Sequence, residues 1–390
     1  MPRRHGLSLV LTGLCAASAA AQSVPVVTLS RPVAEFAEPF SEIASIRELS
    51  DGRVIVVDGR ELTVQMIDFR SGNAQPVGRK GPGPGEYEWP QRLFGLPGDT
   101  TVLQGGAGGR LLVITPDGTP GAFLDIDPPA AADPRARVTP RFTPRFADAR
   151  GRLYSQAQPI RYFSDGRPPE LTDSAAIVRL DRATEKRDTV GYMPLRPDPT
   201  RRIAGSIGVV FAPNYRPWPA WDAWTVGPDG RIAMVFNEPY RVNVIDVTGV
   251  RVNGQPIPYQ RVRVDEALKD EWRAEQARPR MAMTARRGGP ATIGLVKSPV
   301  REPGEWPEFL PAFKASGVSV APDGMAWVQR MVAAGAPLEY DLIDGRGRLV
   351  RKVRLPRRSH VIGFGTGTVY VVRMDDDDLQ YLQRHPLPRL

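Results

Sequence analysis

Side chains able to carry acid–base, nucleophilic or metal chemistry are scarce in this chain. Its 390 residues hold three histidines and one cysteine. His5 and Cys15 both fall in an N-terminal stretch built as an export signal. Arg3 and Arg4 open it, Leu7 to Leu14 form a short apolar core, and Ala19-Ala20-Ala21 precede Gln22. That core is too short to span a bilayer, which takes about 20 apolar residues. Leu14 stands where a lipidated Cys15 would want a small neighbour, and no cofactor motif calls for folded export through the Arg3-Arg4 pair. Residues 1–21 are therefore read as a cleaved signal peptide, and 22–390 as one soluble periplasmic or secreted domain. Cleavage leaves His360 and His385 and no thiol. A disulfide, a cysteine metal site and a three-histidine zinc centre are excluded, and little room is left for a Ser-His-Asp triad.

The other candidates each have a plainer reading. Gly78 to Tyr87 is glycine-rich like a phosphate loop, but Pro82 and Pro84 remove two N–H donors and no Gly-Lys-Ser/Thr follows. A rigid linker is expected. Asp375 to Asp378 could attract calcium, yet the run lacks the spacing and glycine of an EF-hand loop and reads as a solvated turn. Gly317-Val318-Ser319-Val320-Ala321 only approaches a nucleophile elbow. Trp218, Trp221 and Trp224 would form a sugar-stacking platform if exposed and an inter-sheet packing cluster if buried, the latter being favoured. Net charge is +9, with 46 arginines against six lysines. Alongside abundant Ala, Pro and Gly, this reads as a GC-rich coding bias. Nucleic acid is not an expected partner of an exported chain.

A recurring strand unit must position whatever these residues do. Asp51-Gly52-Arg53 opens Val54 to Val57, and a strand ending at Asp68 follows 17 residues after Asp51. Asp229-Gly230-Arg231 and Asp246 repeat the pattern at the same 17-residue spacing, and Asp323-Gly324 and Asp344 repeat it at 21. Weaker copies turn at Gly98, Gly151 and Gly365-Thr366-Gly367. Spacings of 46, 53, 79, 94 and 42 residues straddle the length of a four-stranded blade. The expectation is an all-β, six-bladed β-propeller of four-stranded antiparallel blades. A seventh, degenerate blade inside the 79-residue interval is the competing count. Val24 to Leu29 is expected to pair with the last blade and close the ring. Residues 265–314 form an insertion between blades 4 and 5, with a surface helix over Asp265 to Ala277 capped by Asp265. Arg278 to Pro290 after it reads as mobile.

The Asp-Gly hairpins resemble those of six-bladed propellers of the NHL/TolB-like kind, and Gly78 to Tyr87 is similar to the blade 1–2 linker of exported bacterial members. The resemblance implies the fold and is nearly silent on activity. Propeller lactonases, similar in fold, hold a divalent ion with carboxylate and Asn ligands at the channel mouth. Carried here, that would make Glu42, Asp58, Asn237 and Glu238 candidate calcium ligands. Three functions remain open: a non-catalytic binding scaffold of the cell envelope with no cofactor, a metal-dependent lactonase-type hydrolase, and a carbohydrate-binding protein. A monomer is expected. Strand parity adds one more expectation. In a four-stranded meander the a–b and c–d turns share one face, and the b–c and d–a connections share the other. Gly78 to Tyr87, Arg196 to Pro219 and Asp265 to Lys314 are d–a; Gln158 to Ser174 and Arg330 to Pro337 are b–c. All long segments therefore fall on one face, where a ligand or partner is expected to meet Arg60, Arg79, Tyr87, Glu238, Tyr240, Arg330 and His360. As a general base, His360 would need a nearby carboxylate and nucleophile; a structural role is favoured.

Overall fold

Val54 to Val57 are completely buried although they are consecutive in a strand. Side chains alternate across a strand, so both faces of this sheet must be covered. The structure, a computed structural model, shows how. It describes residues 24–105, 110–126, 142–161, 163, 167–196, 201–204, 208–211, 216–284 and 292–389. Ile55 and Val57 pack with Leu103 and Leu112 of the second sheet. Val54 and Val56 pack with Tyr370 and Val372 of the last. Six apolar layers of this kind separate six four-stranded antiparallel sheets, which close into a ring. The inner strands of blades 1 to 6 are Ile43–Glu48, Arg92–Gly95, Phe146–Ala147, Ala223–Val226, Phe313–Val320 and Ser359–Gly365.

The repeated aspartates are turn caps. Asp51, Asp229 and Asp323 accept the N–H two residues on at 2.9, 3.0 and 3.0 Å, and the glycines between have φ of +89°, +86° and +83°. A side chain there would be strained, so Asp-Gly is the chemistry these a–b turns need. Asp68, Asp246 and Asp344 cap the c–d turns in the same way, at 2.8, 2.8 and 2.9 Å. Buried tyrosines then tie blade to blade. Tyr240 Oη donates to Asp341, Tyr370 Oη donates to Glu48, and Tyr340 Oη accepts from Val361 N.

Ring closure differs from expectation. Val26–Thr28 lies parallel to Leu349–Arg354, the outer strand of blade 5. The outer strand of blade 6 is instead Ala34–Glu35, antiparallel to Gln380–Pro386. Phe36 and Phe40, 2% and 5% exposed, follow it into the layer between blades 6 and 1. Alternating apolar character marked the earlier segment, but burial of two phenylalanines fixes the later one. The helix Glu266–Ala277 forms as expected: Asp265 accepts from Leu268 N at 2.9 Å, and Leu268 and Trp272 are buried. The segment after it is corrected. Arg280–Thr284 is a strand paired with Thr292–Val296, while 285–291 lie outside the described residues. Residues 1–21, read above as a signal peptide, and Cys15 within them also lie outside the described residues. Among the described residues no helix is long and apolar enough to cross a membrane.

Candidate functional site

Inner strands of all six blades line a central cavity of about 3320 Å³. Each strand begins on the face that carries the d–a connections, and each places a titratable side chain on the channel wall at or within one residue of its start. The six are Glu42, Arg92, Arg145, Asp222, Lys314 and His360. Asp222 is matched by Arg196, 3.3 Å away, which also pairs with Glu238 at 2.9 Å. Arg92, Arg145 and Lys314 have no carboxylate partner among the described residues, so this mouth of the channel favours anions.

The insertion roofs the same mouth. Glu271 accepts from Gly335 N at 2.8 Å in the b–c loop of blade 5. Arg278 meets Asp378 at 3.1 Å in the b–c loop of blade 6, and Arg358 shares that carboxylate at 2.6 Å. Arg216, before blade 4, meets Glu305 at 3.0 Å. Trp306 packs against Trp272 and Trp218, at 5.2 and 5.7 Å between ring centroids. The insertion, the residues just before blade 4 and the b–c loops of blades 5 and 6 thus meet on one face. The Asp375 run is a turn: Asp375 caps Asp377 and Leu379, and Asp378 anchors the roof. The three tryptophans divide. Trp224 is buried against Phe146 and donates to Gln156 at 2.8 Å, Trp218 is half-buried under the roof, and Trp221 is 52% exposed on the channel wall.

Several residues expected to meet a partner are occupied in the interior. Tyr87, 2% exposed, accepts from Val64 N. Tyr240 is equally buried and bound to Asp341. Arg330, 6% exposed, donates to Ala312 O at 2.6 Å and to Asp341 at 3.0 Å. These three are corrected to parts of the core: a loop-face position at a strand end still points into the inter-blade layer. Arg60 is half-buried in the b–c turn of blade 1. Arg79 is exposed and pairs with Glu86 at 2.6 Å across a parallel bridge, Arg79–Lys80 with Glu86–Tyr87. Glu238 is exposed beside Arg196.

The four candidate metal ligands do not converge. Asp58 accepts from the backbone of Ser41, Glu42, Arg60 and Glu61. Asn237 accepts from Ala312 N at 2.9 Å and donates to Trp221 O at 2.6 Å. Among the described residues no group of three or more His, Cys, Asp or Glu could hold a metal ion. Two of the four donors are turn and corner fasteners, and Glu42 and Glu238 are the pair left on the channel wall.

His360 is the titratable wall residue with a large shift. Burial, and then the Lys314 ammonium, push its pKa from about 6.5 down to about 4. The unfolded chain then binds a proton that the folded one refuses between those values. Stability is full above pH 6.5 and is lost as pH falls toward 4, at up to about 1.4 kcal/mol per pH unit. His360→Gln should flatten the urea-midpoint profile in that window, and an unchanged slope would refute the placement.

Sequence reasoning missed Arg92, Arg145, Asp222, Lys314 and Gln156 as wall residues. Two were reachable: Arg92 and Arg145 each stand six residues before a turn glycine, Gly98 and Gly151.

No protein-family model matches the chain, and no curated protein does. Among solved structures, it is similar to a streptogramin B lyase at 15% identity, over 91% of this chain and 87% of that one, with a TM-score of 0.40. A gluconolactonase of Xanthomonas campestris is similar at 10% identity, over 90% and 92%, with a TM-score of 0.39. A candidate exported protein of Bacteroides fragilis is similar at 12%, over 93% and 99%, with a TM-score of 0.43.

Proposed function

We propose that this is a non-catalytic binding protein of the cell envelope that takes a small ligand into its central channel from the loop-rich face. The channel carries the reading: a cavity of about 3320 Å³, walled by every blade and roofed on one side by the insertion. Elaborated loops over a rigid scaffold are where binding tends to reside. The signal-like N-terminus supports a location outside the cytoplasm, and the Asp-Gly hairpins support the NHL/TolB-like affiliation as part of the proposal. A carbohydrate ligand is favoured over other neutral ones by Trp221, whose exposed indole on the wall could stack a sugar ring. The lactonase-type alternative would need a divalent ion, and Asp58 and Asn237 are already committed to backbone partners.

Ser316, exposed on the inner strand of blade 5, allows a direct test. A thermal-shift panel of glycans, lactones and calcium with and without EDTA should give ligand-dependent stabilisation that Ser316→Trp abolishes at an unchanged apo melting temperature. A hit that survives this plug contradicts channel binding. Calcium stabilisation reversed by EDTA, together with lactone turnover, would establish the hydrolase instead.

A further inference from the structure

Blades 2 and 3 hold a cluster of hydrogen-bond donors on the channel wall with no carboxylate to match among the described residues. Arg92 pairs with Gln104 two places before Phe94, on the strand face that Phe94 buries between blades 2 and 3, and Arg145 is the residue before Phe146 on the inner strand of blade 3. Two cations in neighbouring blades set this part of the wall apart from Glu42 and Asp222 of blades 1 and 4. Neither guanidinium has a carboxylate partner among the described residues, and both are exposed residues that line the channel. The two are close enough that Arg92 opposes the positive charge on Arg145, after burial.

Gln156 completes the group. Its Oε1 accepts from Arg145 Nη1 at 2.7 Å and from Trp224 Nε1 at 2.8 Å. Both acceptor positions of the amide oxygen are filled, which fixes the side chain and leaves its Nε2 hydrogens as donors. Gln156 lines the cavity with Arg92 and Arg145, and Phe146, Met193, Leu195 and Trp221 supply apolar wall beside them. Two guanidinium forks and an oriented amide, all donors, match an oxyanion.

We propose that Arg92, Arg145 and Gln156 form an oxyanion seat that takes the carboxylate or phosphate group of a small ligand whose apolar body lies along the Phe146–Trp221 wall. The seat rests on the channel-binding reading and names the ligand class for it. A bound anion would offset the repulsion between Arg92 and Arg145.

Isothermal titration of the exported full-length protein with phenylacetate, phenyl phosphate and neutral phenylacetamide tests it. The acids should bind saturably and the amide at least about tenfold more weakly. Arg92→Gln and Arg145→Gln should each weaken the acids roughly tenfold to a hundredfold without changing the amide. Gln156→Glu brings its own carboxylate to the arginines and should abolish acid binding. Arg145→Lys, which keeps the charge, should restore part of it and guards against a folding defect. Preference for phenyl phosphate over phenylacetate would assign the seat to phosphate esters, and the reverse to carboxylates. Equal binding of acid and amide, no acid binding, or acid binding indifferent to both arginine variants overturns the seat. If Ser316→Trp blocks acids that the arginine variants do not affect, the channel stands and the seat falls. If acids still bind through the arginines in the plugged protein, the seat stands and the channel route falls.

Discussion

Replacing Asp341 with alanine is expected to destabilise the protein by about 3–5 kcal/mol, because it leaves a guanidinium buried without its counter-charge. Asp341 is 0% exposed and Arg330 6%. Arg330 Nη1 lies 3.0 Å from Asp341 Oδ2, and its guanidinium carbon stacks 4.8 and 4.6 Å from the ring centroids of Tyr240 and Tyr259. Tyr240 reaches across from blade 4 to the same oxygen at 2.9 Å. Burial, and then the Asp341 charge, hold the Tyr240 hydroxyl well above its ordinary pKa, so it remains a donor. One carboxylate therefore satisfies a cation and a hydroxyl from two blades, and its removal strands both. Urea denaturation should show the loss. Asp341→Ala combined with Arg330→Met should recover most of it, since an apolar pair of similar volume tolerates burial. If the double variant is no more stable than the single one, the cost lies in the cavity rather than in the stranded charge.

That network also explains what could be read from the chain alone. Asp-Gly turns announce themselves because an Asx cap and a positive-φ glycine are local requirements, satisfied within four residues. The helix was legible for the same reason, through Asp265 and the Leu268–Trp272 stripe. Arg330 and Tyr240 were misread because their destination is set by residues distant in sequence: an arginine at a strand end looks like a surface residue until Asp341 of the next strand, Tyr240 of blade 4 and Tyr259 enclose it. The channel wall was obscured differently. Arg92 and Arg145 are two among 46 arginines, and only their spacing before Gly98 and Gly151 separates them from the compositional background. Asn237 and Asp58 show the converse, since such polar side chains can be spent entirely on backbone N–H and C=O groups.

Ring closure gives the second large effect. Phe36→Ala should cost about 3–5 kcal/mol, whereas Val26→Asp should change stability by no more than about 0.5 kcal/mol. Both residues belong to the N-terminal pairing segments, and the contrast follows from what each covers. Val26 is 44% exposed on a parallel strand added outside blade 5, which already has its four strands. Phe36 is 2% exposed between blades 6 and 1, with Phe40 and Phe69 at ring-centroid distances of 6.2 and 6.0 Å. Its N–H donates to Leu382 O at 2.9 Å, and Phe40 exchanges backbone bonds of 2.8 Å with Gln380. Beside it, Glu35 accepts from Arg373 at 2.9 and 2.8 Å and from Gln383 at 2.6 Å, and the Arg373 hydrogen bonds hold its carboxyl below the usual range. A depressed carboxylate stabilises the fold above its unfolded pKa and ceases to do so as pH falls through the folded one. Closure should therefore weaken in acid, and Glu35→Gln should remove that part of the acid sensitivity. Loosening this seam exposes the edges of two blades at once, because a ring has no spare neighbour to cover them. Equal denaturation midpoints for Phe36→Ala and Val26→Asp would show that Ala34–Glu35 does not carry the closure.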